Sequence, residues 1–384
     1  MAGMHTVEKI GGTSMSRFDE LLQNVRIGER GSDELYNRIF VVSAYGGITN
    51  LLLEHKKTGE PGVYGRFAAG EDWSEALVTL RQEMVACNRK FEKIGLDQGE
   101  ADAFVEERIA GIHDCLENLR RVESYGHIRE EDFLPAMREF LSAQGEAHSA
   151  FNSVQILRSQ GVNARLVDLT GWKSSENYPL DEGIRRAVAE LNVAAEMPIV
   201  TGYVKCREGI MRRFSRGYSE ITFSKVAVIS GAREGVIHKE FHLCTGDPKL
   251  VGEDKACVIG NTNFDIADQM SDMDMEAIHS KAAMEMQQEN IPIRVKNAFD
   301  PDHPGTLISR DYVSPEPRVD MICGRADVLA VDVYDPNMVG EVGYDLRLVQ
   351  VLDRLGISYV AKSTNANTIT HFVPAGDVQR EKLV

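Results

Sequence analysis

The hydrophobic pattern of the first domain-sized stretch predicts strands that alternate with helices. The continuous apolar run at residues 39–42 is typical of a buried strand, because a strand covered on both faces needs no polar alternation. Residues 165–169 and 198–204 predict further strands, each after a helical stretch. Residues 132–157 carry apolar side chains at three- and four-residue intervals, which predicts a helix with one buried face. This order of elements predicts an α/β fold in which a largely parallel sheet lies between layers of helices.

Changes in this pattern divide the chain. Residues 1–308 follow the alternating pattern, except for 54–131, where charged, helix-forming sequence predicts a helical excursion. Residues 309–325 are polar and contain prolines, which predicts a linker. Residues 326–384 predict a smaller α+β module. Its expected elements are strands at 328–333, 357–361 and 368–373, a helix at 344–355, and the start of a second helix at 377–384 that leaves the module incomplete.

Composition narrows the class of protein. A chain of 384 residues exceeds what one core usually supports, so two domains are expected. The net charge of −16 argues against nucleic acid or a membrane as a partner. Six scattered cysteines without a C-x-x-C pair favour reduced thiols in a cytoplasmic protein.

The first stretch with chemical character lies near the amino terminus. Lys9 stands at the end of a predicted strand, and a turn of Gly11, Gly12, Thr13 and Ser14 follows it. Glycines allow a tight turn, and this alone explains the pair in mechanical terms. Exposed backbone N–H groups beside a lysine and hydroxyls also suit phosphate oxygens. The stretch by itself is compatible with both interpretations.

Six stretches together resemble the aspartate kinases of the amino-acid kinase superfamily. In chain order they are EKIGGTS (8–14), VVSAYGGITN (41–50), QGE (144–146), SRGYSEITF (215–223), TGDPKLV (245–251) and NIPIRVKNAFDPDHPGTLI (290–308). Residues 326–384 resemble an ACT regulatory module. In the tyrosine of SAYGG and the glutamate of GYSE, the chain resembles the variant aspartate kinases associated with ectoine synthesis.

The resemblance implies transfer of phosphate from ATP, with Mg²⁺, to the side-chain carboxylate of L-aspartate. It implies that Lys9 contacts the phosphates while the turn cradles them. Catalytic roles are implied for Lys9, Arg216 and Glu220, substrate binding for Ser43, Thr49, Glu146, Arg216 and Ser219, and nucleotide binding for Lys9, Gly11, Gly12, Thr13, Ser14, Lys249 and Lys281. No protein residue is assigned as a metal ligand.

These roles agree with the chemistry of aspartate. The Arg216 guanidinium can hold the α-carboxylate with two parallel hydrogen bonds, and Glu146 supplies a negative charge for the ammonium group. Each of these residues also has an ordinary alternative, since most charged side chains simply face water. Lys281, in a helical stretch, has the same alternative.

Two stretches depart from the resemblance. Where the family carries T-D-V-D-G this chain has HKEFH, residues 238–242, so Lys239 and Phe241 replace aspartates and the nucleotide contacts are in question. The family's F-G-A-K-V-L-H-P is reduced to IHSKAAM, which keeps Lys281. His238 and His242 have the spacing of a metal pair on a helix, but they lie where a strand is expected to end, without a third ligand.

Two other functions remain open at this point. The chain could be an amino-acid kinase with a different carboxylate substrate, although Glu146 argues against N-acylated substrates, which carry no ammonium group. It could also be a catalytically silent amino-acid sensor. A homodimer or higher homo-oligomer is expected, since an unpaired edge of the ACT-like sheet invites a partner, and the ACT-like module is a candidate site for an amino-acid effector.

Overall fold

The structure, a computed structural model, describes residues 4–28, 30–214, 217–252, 254–272 and 278–378, without the side chains of residues 32, 33, 249, 272 and 377. The strands are β1 (Thr6–Ile10), β2 (Arg38–Val42), β3 (Ala164–Val167), β4 (Met197–Thr201), β5 (Glu234–Lys239), β6 (Asn261–Asn263), β7 (Ile293–Asn297), β8 (Thr306–Ser309), β9 (Val328–Tyr334), β10 (Ala361–Thr364) and β11 (Thr368–Pro374). The α-helices are α1 (Gly12–Met15), α2 (Phe18–Leu21), α3 (Ser32–Leu35), α4 (Ile48–Leu52), α5 (Val63–Ala68), α6 (Ser74–Phe91), α7 (Gln98–Glu123), α8 (Glu130–Ser159), α9 (Leu180–Ala189), α10 (Ile210–Phe214), α11 (Tyr218–Ser230), α12 (Pro248–Val251), α13 (Phe264–Asp272), α14 (Ser280–Gln288) and α15 (Tyr344–Arg354).

Eight strands form one sheet in the order β3-β4-β2-β1-β5-β7-β8-β6. All neighbouring pairs are parallel except β7 with β8. The central strand β1 pairs with β2 on one side and with β5 on the other. The prediction of a largely parallel sheet flanked by helices is confirmed. The carboxyl ends of β1, β2, β4 and β5 therefore meet at one edge, where the loops of such folds bind ligands.

The central strands are buried at every position, which explains the continuous apolar run in β2. Strands β1, β2 and β4 have no exposed residue. Two polar side chains in this core, Glu8 and Arg38, satisfy each other, because Arg38 donates to both oxygens of Glu8 at 2.7 and 3.0 Å. His238 Nε2 lies 2.7 Å from Glu8 Oε2. Burial alone would raise the pKa of Glu8, but Arg38 and His238 outweigh it and hold that pKa well below its ordinary value.

The helical excursion predicted for residues 54–131 is present as α5, α6 and α7. Helix α7 begins after Asp97, whose side chain accepts a hydrogen bond from the backbone of Glu100 at 3.0 Å, as an N-cap residue does. The predicted helix at 132–157 is α8, which extends two residues further at each end. Helix α8 packs on β3, β4 and α4, so its middle section reaches the carboxyl edge of the sheet.

The smaller module contains an antiparallel sheet in the order β10-β11-β9 and helix α15. Gly356 follows this helix with a φ of +66°, the left-handed conformation of a helix-terminating glycine. The strand predicted at 357–361 is wrong: β10 starts at Ala361, and Ile357 instead buries its side chain in the small core with Leu352 and Val373. Residues 379–384, most of the expected second helix, lie outside the described residues. Within the described ranges no helix is both long and apolar enough to cross a membrane.

Candidate active site

The turn after β1 packs closely on the turn after β2. A Cβ atom on Gly12 would lie 2.7 Å from the carbonyl oxygen of Ala44, so only glycine allows this approach. The backbone N–H of Gly11 donates to the carbonyl of His238 at 3.5 Å, which ties the turn to the end of β5. Thr13 is exposed, whereas Ser14 is buried and donates to Glu240 Oε1 at 3.0 Å. The turn thus lies between the ends of β2 and β5.

Lys9 and Glu220 form a buried ion pair at this edge. Lys9 Nζ lies 3.1 Å from Glu220 Oε1, and the two side chains are only 11% and 12% exposed. Glu220 Oε2 accepts a hydrogen bond from the backbone of His279 at 2.6 Å. Burial would raise the pKa of Glu220, but the charges of Lys9 and Lys239 and the bond from His279 lower that pKa below its ordinary value. Glu220 is therefore ionised at neutral pH.

Glu146 has the opposite electrostatic character. It lies in the middle of α8 and is 2% exposed, and its Oε2 atom is buried without a hydrogen-bond partner. Burial raises the pKa of Glu146 to about 8, although hydrogen bonds, chiefly from the Tyr218 side chain, and the charge of Lys9 oppose this shift. A buried carboxyl group with an oxygen that no protein group contacts has the properties of a binding site for a cation.

Small residues bring Glu146 to the sheet edge. A Cβ atom on Gly145 would lie 2.6 Å from the Cβ of Ala44, so α8 contacts the turn after β2 directly. On the other side, a Cβ on Gly202 would lie 2.6 Å from the Cβ of Ser219 and 3.4 Å from the Cγ of Glu146. Glycines at 145 and 202 thus allow α8, α11 and the end of β4 to converge.

Two hydroxyl groups complete this convergence. Ser43 Oγ donates to Ser219 Oγ at 3.3 Å, and the carbonyl of Ser43 accepts from Ser149 of α8 at 2.8 Å. The structure therefore brings together five of the residues singled out from the sequence: Lys9, Ser43, Glu146, Ser219 and Glu220. Their arrangement offers a carboxyl group for an ammonium ion, hydroxyl donors for carboxylate oxygens, and a lysine for phosphate.

The remaining candidates are placed less centrally. Thr49 is half-buried in α4, and Lys249 belongs to α12, with its side chain outside the description. Lys281 is exposed in α14, with its Nζ 5.6 Å from the centre of the Phe214 ring. Arg216 lies outside the described residues.

The two histidines of HKEFH contact separate carboxylates. His238 is paired with Glu8, as described above, and His242 Nε2 lies 2.9 Å from Asp300 Oδ2. No group of three or more metal-ligating side chains occurs among the residues that the structure describes.

Sequence reasoning assigned no role to three residues of this site. Tyr218 is 4% exposed and its side chain hydrogen-bonds Glu146. Lys239 lies close enough to Glu220 to affect its charge, and Gly202 provides room for Ser219 and Glu146. The signal for Tyr218 was its position inside SRGYSE, next to two candidate residues. Gly202 gave no signal, because its role depends on a contact between distant segments.

Comparison with known proteins decides the family. Residues 4–297 match the model of the amino acid kinase family. The chain is also 50% identical, over 372 residues, to the aspartate kinase Ask_Ect of Stutzerimonas stutzeri (strain A1501), which covers 96% of this chain and 78% of that protein. The chain belongs to the aspartate kinases of this family. The resemblance drawn from the six sequence stretches is confirmed, including its similarity to the ectoine-associated variant.

More distant aspartate kinases match nearly the whole of this chain and share its fold. Lysine-sensitive aspartokinase 3 of Escherichia coli (strain K12) is 25% identical over 362 residues, which cover 92% of this chain and 74% of that enzyme. Aspartokinase III of E. coli, solved in complex with aspartate and ADP, superimposes with a TM-score of 0.69 at 20% identity and covers 99% of this chain and 81% of that one. This likeness extends over both the large sheet and the small antiparallel sheet, so the aspartate kinase fold includes the smaller module.

Proposed function

We propose that this aspartate kinase transfers the γ-phosphoryl group of ATP to the side-chain carboxylate of L-aspartate, giving 4-phospho-L-aspartate and ADP. The observation that carries the proposal is the buried carboxyl group of Glu146, whose Oε2 has no partner, beside the Lys9–Glu220 pair. An amino acid with a free ammonium group would satisfy this oxygen. N-acylated amino acids and carbamate have no such group and would leave it unpaired.

The reaction needs no proton transfer to or from a protein side chain. A side-chain carboxylate oxygen of aspartate forms a bond to the γ-phosphorus, and the bond from that phosphorus to the oxygen bridging it to the β-phosphate breaks. The aspartate carboxylate is already ionised at neutral pH, so no general base is required. The site must instead hold two anions together and balance the charge of the transferring group.

Each element of the site then has a role in this reaction. Lys9 contacts the phosphates, and the Gly11–Ser14 turn cradles them. Ser43 and Ser219 donate to carboxylate oxygens of aspartate, and Glu146 receives its ammonium group. We assign the α-carboxylate to Arg216, with Thr49 as a further donor, and nucleotide contacts to Lys249 and Lys281, as the sequence resemblance implies.

Mg²⁺ fits this site as a companion of ATP. Magnesium usually keeps several water ligands and binds through substrate phosphates and one or two carboxylates, and Glu220 is an ionised carboxylate next to the phosphate lysine. Glu220 would hold the ion through its carboxylate oxygens. Bound there, the ion would neutralise charge on the phosphate oxygens.

The test is a coupled assay with a chemical trap. The purified chain is incubated with ATP, Mg²⁺ and L-aspartate, ADP release is recorded, and hydroxylamine converts any acyl phosphate to its hydroxamate. Glutamate, N-acetylglutamate and carbamate run in parallel. Aspartyl hydroxamate with little signal from the other three supports the proposal. Turnover only with another substrate would favour a different amino-acid kinase, and ATP binding without any turnover would favour a silent sensor.

The small antiparallel module supports a regulatory role. E. coli aspartokinase III, which shares this fold at 20% identity, was also solved in a T-state complex with lysine and aspartate. We propose that an amino acid binds the ACT-like module of this chain, that the chain forms a homo-oligomer through that module, and that residues 1–308, 309–325 and 326–384 are the catalytic domain, linker and module. The cytoplasmic location stays a prediction from the cysteine pattern.

A further inference from the structure

The end of β5 places a second lysine beside Lys9. In the parallel pairing of β1 with β5, Lys9 lies opposite Ile237. Lys239 follows two residues later, so its side chain leaves the sheet on the same face as that of Lys9. The spacing of strands and residues puts the two Cα atoms about 8 Å apart, within reach of a common anion for two extended lysine side chains.

Lys239 and Lys9 also act on the same buried carboxylate. Both lower the pKa of the buried Glu220 carboxyl. The end of β5 contacts the turn after β1. The Gly11 N–H donates to the carbonyl of His238, and a Cβ on Gly11 would lie 4.0 Å from Glu240 Oε1. Lys9 and Lys239 therefore both border the proposed phosphate turn.

Lys281, one of the other candidate lysines of the nucleotide site, is less buried than Lys239. Lys281 is exposed and its Nζ contacts the Phe214 ring. Lys239, by contrast, is half-buried at the carboxyl end of a central strand. It also occupies a position where the aspartate kinase pattern described above carries an acid, so the local charge is inverted relative to that pattern.

We propose that Lys239 is a second phosphate-binding residue, which contacts the ATP phosphates from the β5 side while Lys9 contacts them from β1. This inference rests on the proposed kinase function and adds a specific residue to it. The two lysines would hold the β- and γ-phosphates between them, and Glu220 would keep both ammonium groups oriented when the nucleotide is absent. HKEFH then supplies a phosphate contact of its own in place of an acidic segment.

The experiment compares Lys239→Met, Lys239→Arg and wild type by calorimetric binding of ADP and of ATP without aspartate, followed by steady-state kinetics. Removal of a charge-assisted hydrogen bond predicts nucleotide binding weaker by about tenfold to a hundredfold in Lys239→Met, with partial recovery in Lys239→Arg. The KM for aspartate should stay within about twofold, because Lys239 does not touch the amino acid. Lys90→Met, an exposed lysine on α6, serves as the control for loss of a positive charge.

A double-mutant cycle separates contact with phosphate from a role through Glu220. If Lys239 only neutralises Glu220, the variant that combines Lys239→Met with Glu220→Gln will regain the nucleotide affinity of Glu220→Gln alone. If Lys239 touches phosphate, the double variant stays about tenfold weaker than Glu220→Gln. Thermal melts of each variant confirm folding before binding is compared.

The outcomes distinguish this inference from the proposed function. Wild-type binding of ADP without turnover of aspartate would refute the kinase reaction and still allow the Lys239 comparison. Equal ADP and ATP affinities in Lys239→Met and wild type, with both variants folded, would overturn the inference even if aspartate turnover is confirmed. Restoration of affinity in the double variant would overturn it as well.

Discussion

The unused oxygen of Glu146 leads to a prediction about pH. Burial raises the pKa of this carboxyl from an ordinary 4.5 to about 8 in the free protein. At pH 7 about nine-tenths of the molecules therefore carry a protonated Glu146, and they must lose that proton before an ammonium ion can bind. Aspartate binding should thus release close to one proton at pH 7. Affinity should rise about tenfold per pH unit up to pH 8 and then level off.

The raised pKa of Glu146 also affects folding stability, but with the opposite dependence on pH: stability falls as pH rises, whereas aspartate affinity increases. The unfolded chain ionises Glu146 near pH 4.5, whereas the folded chain keeps the proton until about pH 8. The folded state binds more protons in this window, so the free energy of unfolding falls as pH rises from about 4.5 to 8. One pKa unit corresponds to about 1.4 kcal/mol, which puts the total on the order of a few kcal/mol. Glu146→Gln should remove this fall and be more stable than wild type at pH 8.

Calorimetry measures both the affinity and the released proton. Aspartate is titrated into the protein between pH 6 and 9, in pairs of buffers that differ in ionisation enthalpy. Glu146→Gln should bind aspartate weakly, with no proton release and little pH dependence. Glu131→Gln, an exposed glutamate on the same helix, is the matched control and should behave like wild type.

A flat profile would refute this reasoning. If aspartate affinity is constant from pH 6 to 8 and no proton is released, Glu146 is not the partner of the ammonium group. If Glu146→Gln loses affinity but is also less stable than wild type at pH 8, the carboxyl supports the fold through contacts of its own and the assigned cost of burial is wrong.

Three further predictions concern the framework of the site. Gly12→Ala should lower the free energy of unfolding in urea by roughly 1–3 kcal/mol, because the added Cβ would meet a carbonyl oxygen. The control Gly260→Ala has open space around it and should change that free energy by less than about 0.5 kcal/mol. Equal effects of the two substitutions would show that the turn adjusts freely. Arg216→Ala should lower kcat/KM for aspartate about a hundredfold or more in steady-state assays, and near-normal kinetics would remove it from the site. Glu8→Gln should lower the free energy of unfolding by about 3–5 kcal/mol, since it leaves Arg38 buried without its carboxylate; a change under about 1 kcal/mol would mean that the pair contributes little.

The sequence allowed the fold to be predicted where burial is continuous. The apolar run before Ser43 identifies a central strand, since few other structures bury every residue of such a run. Periodicity failed at Ile357, because an apolar residue after a helix can serve the core without belonging to a strand. Burial was identified correctly there, and only the type of element was wrong.

The candidate site was predictable where its functional residues lie close together in the sequence. Lys9 and the following turn are adjacent in sequence, and the structure shows them adjacent in space. Lys239 was noticed in the sequence only as a departure from a pattern. Its position beside Lys9 depends on the β1–β5 pairing, which joins residues more than two hundred positions apart. Tyr218 was overlooked for the same reason, since its partner Glu146 lies on another helix.

The contact between Gly145 and Ala44 limits which amino acids the site can accept. Helix α8 and the turn after β2 already touch, so Glu146 and Ser43 cannot move closer together, and moving them apart would leave a void in a packed core. A substrate longer by one methylene, such as glutamate, would keep its ammonium group at Glu146 and extend its reacting carboxylate about 1 Å past the position suited to aspartate. A misplacement of that size can cost about a hundredfold in rate. Discrimination by chain length would then come from two small residues that never touch the substrate.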